Sequence, residues 1–153
     1  MAPMTVAVVP TWGHRDHLQR FLPTLLEQTR PFARVLVVGD KGNETIVGSR
    51  PGVELQTTSA NLGFAAAVNR GIERALSAKT VDLVAVINDD VSLDPEWHAQ
   101  AESAIHLRPE YGSCATCLLQ LQRPDKVASA GIDWHPSGFA SEVLNGEAPP
   151  PAS

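Results

Sequence analysis

The chain alternates short, wholly apolar runs with amphipathic stretches, and this pattern narrows the folds open to it more than any other feature. Residues 6–9, 35–38, 53–57 and 81–87 read as strands, and the run at 81–87 is continuous enough to be a fully buried central strand. Between them lie helical stripes. Leu18, Phe21, Leu22, Leu25 and Leu26 share one helix face, with Asp16 placed as its N-cap. Val68, Gly71, Ile72, Ala75 and Leu76 form a second stripe, within a helix over 63–77. Asp94-Pro95-Glu96 opens a third helix, with Asp94 as N-cap and Pro95 at the first position. Its expected core face is Trp97, Ala101, Ala104 and Ile105. Another strand is expected over 113–121, followed by short extended pieces near 127–130 and 139–144. Strand–helix alternation of this kind predicts an α/β architecture, Rossmann-like, with a mostly parallel sheet and helices on both faces. A chain of 153 residues suffices for one domain, placed at 1–147, with Pro-rich residues 148–153 as a flexible end.

Bulk properties exclude several classes of function. The net charge of −5 argues against nucleic acid or a polybasic membrane contact. No apolar run reaches the length of a membrane span, and no basic segment precedes the first strand as a signal peptide requires. With only two cysteines, the expected location is cytoplasmic. Cys114 and Cys117 form one C-x-x-C, but a zinc site wants a second ligand pair and a redox pair sits at a helix start. Within an expected strand they read as buried small apolar residues. His14 and His17 lack the Glu of a zincin motif, and His98, His106 and His135 read as surface or loop residues. Trp97 and Trp134 read as packing anchors, whereas Trp12 follows Thr11 directly and is a candidate for the site.

In open α/β sheets, ligands bind beyond the carboxyl ends of the strands, where strand order reverses. The polar residues of this chain gather at those ends. Thr11 follows the first strand, Asp40 the second, Asn61 lies beyond the third, and Asn88-Asp89-Asp90 closes the fourth. Two carboxylates and an amide are hard oxygen ligands, suited to Mg²⁺ or Mn²⁺ held against phosphates. Each motif alone also fits a plain turn after a strand. Their agreement at four strand ends favours a site for a nucleotide-linked substrate.

Longer motifs sharpen this. Pro10-Thr11-Trp12-Gly13-His14 closes the first strand, residues 61–71 read NLGFAAAVNRG, Asn88-Asp89-Asp90-Val91 follows the fourth strand, and Ser129-Ala130-Gly131 and Gly138 come later. Together they resemble family 2 glycosyltransferases, inverting enzymes of GT-A fold, in a rhamnosyltransferase-like branch, over roughly residues 5–147. The resemblance implies a nucleoside-diphosphate sugar as donor and a glycan or other hydroxyl as acceptor. It implies Asp90 as the metal contact and Asp89 against the ribose or sugar. Thr11, Asp40, Asn61, Gly63 and Asn69 are then nucleotide-sugar contacts: Thr11 through its hydroxyl, Asp40 toward base or ribose, Gly63 through close backbone approach.

Two departures stand out. Where the family has V-D-N-x-S-x-D, this chain has Val38-Gly39-Asp40-Lys41-Gly42-Asn43, so the base-reading Asp is shifted by one position or lost. The resemblance also ends where the family's acceptor half begins, so the catalytic base is unassigned and a partner chain supplying that half is one expectation. Competing readings are a noncatalytic relative that binds nucleotide sugar and transfers nothing, and a sugar-phosphate nucleotidyltransferase. The second wants a Gly-rich basic loop after strand one, which residues 10–15 are not. No G-x-G-x-x-G supports a dinucleotide oxidoreductase.

Overall fold

The computed structural model describes residues 3–150. The chain forms two compact units, Met1–Gln100 and Ala101–Ser153. The first contains β1 (Thr5–Pro10), α1 (Arg15–Leu26), β2 (Arg34–Asp40), a 3₁₀ turn (Lys41–Asn43), α2 (Glu44–Val47), β3 (Val53–Thr58), α3 (Phe64–Leu76) and β4 (Leu83–Val86). The helix α4 (Trp97–His106) crosses the boundary, and β5 (Leu118–Gln120), β6 (Arg123–Ser129), β7 (Ile132–Trp134) and β8 (Ala140–Glu142) follow.

The four strands β1 to β4 make one parallel sheet in the order β3-β2-β1-β4. The chain therefore grows outward from β1 through β2 to β3, then returns to the other side of β1 for β4. That reversal puts the topological switch point between β1 and β4, the place where such sheets open a crevice beyond the strand ends.

Alternation along the strands explains the two layers. Ala7, Val9, Val35 and Val37 face one side, where Leu18, Phe21, Leu22 and Leu25 of α1 pack with Val47 and Ile87. Val6, Val8 and Leu36 face the other, with Ala75 of α3. Gly71 lets α3 lie close to the sheet. A Cβ there would collide with Val8 Cγ1 and come within 3.2 Å of Val38 Cγ2. Arg74 fastens the far end of α3 to β3 by two hydrogen bonds to Glu54, of 2.7 and 3.2 Å. Those bonds and the carboxylate charge raise the Arg74 guanidinium above its ordinary value.

Several expectations are corrected. The run at 81–87 is not a central buried strand. Only Leu83–Val86 is strand, it pairs with β1 alone among the described residues, and Val86 is exposed. Apolar content reports burial against helices but not rank in the sheet, which strand order decides. Asp16 lies inside the first turn of α1, and His14 occupies the N-cap without a side-chain bond. The helix after Asp94 begins at Trp97, two residues past Pro95. Asp94 does serve its start, accepting the Glu96 N–H at 2.9 Å.

The buried positions of α4 include His98 and Glu102, while Ala104 is exposed. His98, read as a surface residue, is only 2% exposed. Its ring stacks on Phe32 at 3.9 Å, and Nδ1 lies 2.6 Å from the Arg30 carbonyl. Those interactions stabilise a polar ring that periodicity alone would send outward.

In the second unit only residues 118–120 of the expected 113–121 strand are strand, and Cys114 and Cys117 are exposed free thiols, not buried ones. The strands β5–β6 and β7–β8 pair as antiparallel hairpins, and β7 corresponds to none of the expected strands. Residues 148–150 carry no regular structure, and the rest of the expected flexible end lies outside the described residues.

Candidate functional site

A cleft of about 310 Å³ opens at the carboxyl ends of the strands, at the lower end of the range for ligand pockets. β1 and the loop after it contribute Pro10, Thr11 and Trp12, and β2 contributes Val38 and Gly39. Thr58 ends β3, residues 61–64 lead into α3, and Asn88, Asp89 and Asp90 follow β4. Thr11, Asn61, Gly63, Asp89 and Asp90 thus meet in one place, as their positions after separate strands imply.

Local hydrogen bonds hold all of them but Asp90. The Thr11 N–H donates to the Val38 carbonyl at 2.9 Å, carrying the β1–β2 ladder one residue beyond β1. Thr11 is buried, and its hydroxyl donates to Asp89 Oδ2 at 2.5 Å. This bond ties the ends of β1 and β4 across the switch point. It engages one oxygen of Asp89 inside the protein. Asp90 is exposed at the cleft with no protein partner among the described residues. Asn61 Oδ1 accepts the Gly63 N–H at 2.9 Å, closing a tight turn. Gly63 has φ of +73°, a conformation that glycine adopts without strain, and it caps α3. Its own amide is therefore engaged and unavailable to an anion.

Two expected residues stand apart. Asn69 is exposed on α3 and lines a separate shallow depression with Gln56, Ala66, Arg70, Glu73 and Arg74. Asp40 ends β2 beside the cleft, yet both its oxygens are used. Oδ1 accepts the Gly42 N–H at 2.7 Å, and Oδ2 accepts the Gly13 N–H at 3.0 Å and the Asn43 amide at 3.4 Å.

Reasoning from the sequence left out Thr58, Leu62 and Phe64, all of which line the cleft. Thr58 was legible in principle as the polar residue ending β3. Phe64 is 61% exposed at the first turn of α3. It stands four residues before Val68, in line with the apolar stripe, and its signal was its place in the stretch at 61–71.

The charge of the lining decides what it can hold. It has two carboxylates and no Lys, Arg or His. A bare phosphate would meet repulsion there. A phosphate accompanied by a divalent cation would not, and Asn88, Asp89 and Asp90 supply the hard oxygens such a cation takes. Among the described residues no cluster of three or more His, Cys, Asp and Glu forms a metal site. The donor set thus fits a cation that completes its shell with phosphate oxygens and water. No helix among the described residues is long and apolar enough to cross a membrane.

Comparison with known proteins identifies the family and the fold. The family described as glycosyl transferase family 2 matches residues 6–117. Among solved structures the chain is similar to a mannosyltransferase, PcManGT from Pyrobaculum calidifontis, determined in complex with GDP-Man and Mn²⁺. The two share 21% identity with a TM-score of 0.60, over 78% of this chain and 36% of the mannosyltransferase. The match thus spans about a third of that protein's length. No curated protein matches the chain.

Proposed function

This chain belongs to glycosyl transferase family 2 and has its GT-A fold, and we propose that its first unit binds a nucleoside-diphosphate sugar together with Mg²⁺ or Mn²⁺. The observation that carries this is the cleft at the β1–β4 switch point, where two carboxylates and no basic side chain face a space of ligand size. The similar mannosyltransferase, whose structure holds GDP-Man and Mn²⁺, supports the choice of ligand class.

Asp90 would hold the cation, with Asn88 and the free oxygen of Asp89 beside it. A divalent ion there stabilises negative charge on a departing diphosphate. Thr11 keeps Asp89 in place and lines the floor of the site, while the Asn61–Gly63 turn shapes the wall. Exposed Trp12 and Phe64 offer apolar surface to the nucleoside or sugar. Transfer to an acceptor hydroxyl by a single in-line displacement, with inversion, is the reaction this reading assigns. Both cleft carboxylates belong to the donor side, so the base that deprotonates the acceptor comes from outside the lining set.

Titration calorimetry with GDP and UDP, with and without Mn²⁺, tests the reading. Binding is expected only with metal, and Asp90→Asn is expected to weaken it by at least tenfold, about 1.4 kcal/mol. Equal affinity with and without metal, in wild type and variant alike, would remove Asp90 from this role.

A further inference from the structure

We infer that Asp40 is a positioning residue, a clasp that fixes the loop carrying Trp12 to the turn after β2, and that it does not read the nucleotide base. Its carboxylate lies between two loops distant in sequence. Oδ2 receives the Gly13 N–H at 3.0 Å from the β1–α1 loop, and Oδ1 receives the Gly42 N–H at 2.7 Å from the 3₁₀ turn. The Asn43 amide adds a third donor at 3.4 Å, from a side chain that is fully buried. A group reading a base must offer a free acceptor toward the cleft. Oδ2 already holds two donors and Oδ1 one, all from the protein's own loops, and the residue is not among those lining the cleft.

The neighbouring glycines fit the same function. Gly13 has φ of +75°, so the loop turns sharply there and presents its N–H to Asp40. A Cβ on Gly39 would sit 2.6 Å from Thr11 Cγ2 and 2.9 Å from the Asn43 amide nitrogen. A Cβ on Gly42 would press on the Arg15 guanidinium and sit 2.7 Å from Asp40 Oδ1. At position 39 the Thr11 carbonyl and side chain leave no room for a Cβ, whereas at 42 the guanidinium of the exposed Arg15 side chain would have to move aside.

The consequence for the ligand rests on the donor-binding reading above. With Asp40 turned to its own loops, it makes no discriminating contact to the base. The base meets Trp12 and Phe64, whose surfaces do not distinguish one base from another by hydrogen bonds. Asp40 acts on binding through the loop, for every nucleotide alike.

Amide hydrogen exchange by NMR and nucleotide calorimetry test this on the intact 153-residue chain. Asp40→Ala is expected to speed exchange at Gly13 and Gly42 by about tenfold, as loss of a charge-assisted bond implies, with α1 amides such as Leu22 unchanged. Asp40→Asn keeps one acceptor and is expected to restore protection at one of the two glycines. Affinities for GDP, UDP and ADP, with Mn²⁺, should fall by a common factor in both variants. Unchanged exchange at both glycines would overturn the clasp. A changed ratio among the three nucleotides in Asp40→Asn would also overturn it, as the mark of a base reader. If wild-type protein binds none of them, the donor-binding reading fails, and exchange alone still decides the clasp.

Discussion

Gly71→Ala sets two known effects against each other at one atom. In a helix interior, alanine is favoured over glycine by about 1 kcal/mol, because glycine loses more backbone entropy. Position 71 lies in the body of α3, so propensity alone makes the variant more stable. Contact geometry opposes this. The added methyl collides with Val8 Cγ1, lies 3.3 Å from Val8 Cγ2, and lies 3.2 Å from Val38 Cγ2. Val8 is wholly buried on β1, with strand neighbours on both sides. As a β-branched residue it has few rotamers into which to retreat. Relief must come from lifting α3 off the sheet, and overpacking of this kind costs about 1–3 kcal/mol. The two contacts to Val8 place the cost in the upper half of that range, leaving a net loss of about 1–2 kcal/mol. Urea unfolding followed by far-UV circular dichroism should show a lower midpoint with unchanged slope. Val8→Ala alone should destabilise by about 2 kcal/mol, from two lost methyl groups. Combined with Gly71→Ala it should cost less than the sum, with a coupling of about 1 kcal/mol or more. A Gly71→Ala protein as stable as wild type, or more so, would refute the close approach of α3 to β1.

Gln28 is buried and bonds in three directions, donating to the Thr24 and Asp94 carbonyls at 3.0 and 2.8 Å and accepting the His98 N–H at 2.8 Å. Gln28→Ala strands two of those groups and should destabilise by about 2–4 kcal/mol in the same unfolding assay. A loss below about 0.5 kcal/mol, the size of an ordinary surface change, would mean that α1 and the start of α4 are not joined there. Cys114 and Cys117 are exposed, so both should react with a thiol-specific reagent in native protein as fast as in urea. Slow or partial labelling would contradict that exposure.

The sheet was legible because its residues obey two periods at once. Val35 to Val38 form an unbroken apolar run, and the run is buried on both faces of β2. The stripe of α1 named four of its buried residues, Leu18, Phe21, Leu22 and Leu25. β4 misled because a run such as LVAV looks the same at the edge of a sheet as at its centre. Strand rank depends on where the chain crosses back, which no local window contains. His98 misled for a related reason. Its burial rests on Phe32 and on the Arg30 carbonyl, more than sixty residues away. The hairpins of the second unit have strands of three residues in three cases of four, too short for any period to emerge.

The stretch NLGFAAAVNRG, residues 61–71, shows why a motif can point to a site while few of its residues stand in it. Asn61 and Gly63 build the turn at the cleft, with the side chain of one closing on the amide of the other. Ten residues along from Asn61, the motif's last glycine touches no ligand space at all. Gly71 is buried against Val8 and Val38, on the strand that leads into Thr11 and the strand that ends in Asp40. Shortening the distance from helix to sheet there sets how near the N-terminal turn of α3 comes to the ends of those strands. Asn69 lies on neither surface. It is exposed over the depression beside Arg70, and its place in the motif has no structural account in this chain. The spacing of the motif is therefore the length of a helical lever. One end is seated on the core, and the other carries the wall of the cleft. On this argument a defect at Gly71 reaches the cleft through backbone position. Gly71→Ala should thus weaken nucleotide binding without any change in the metal requirement proposed for Asp90.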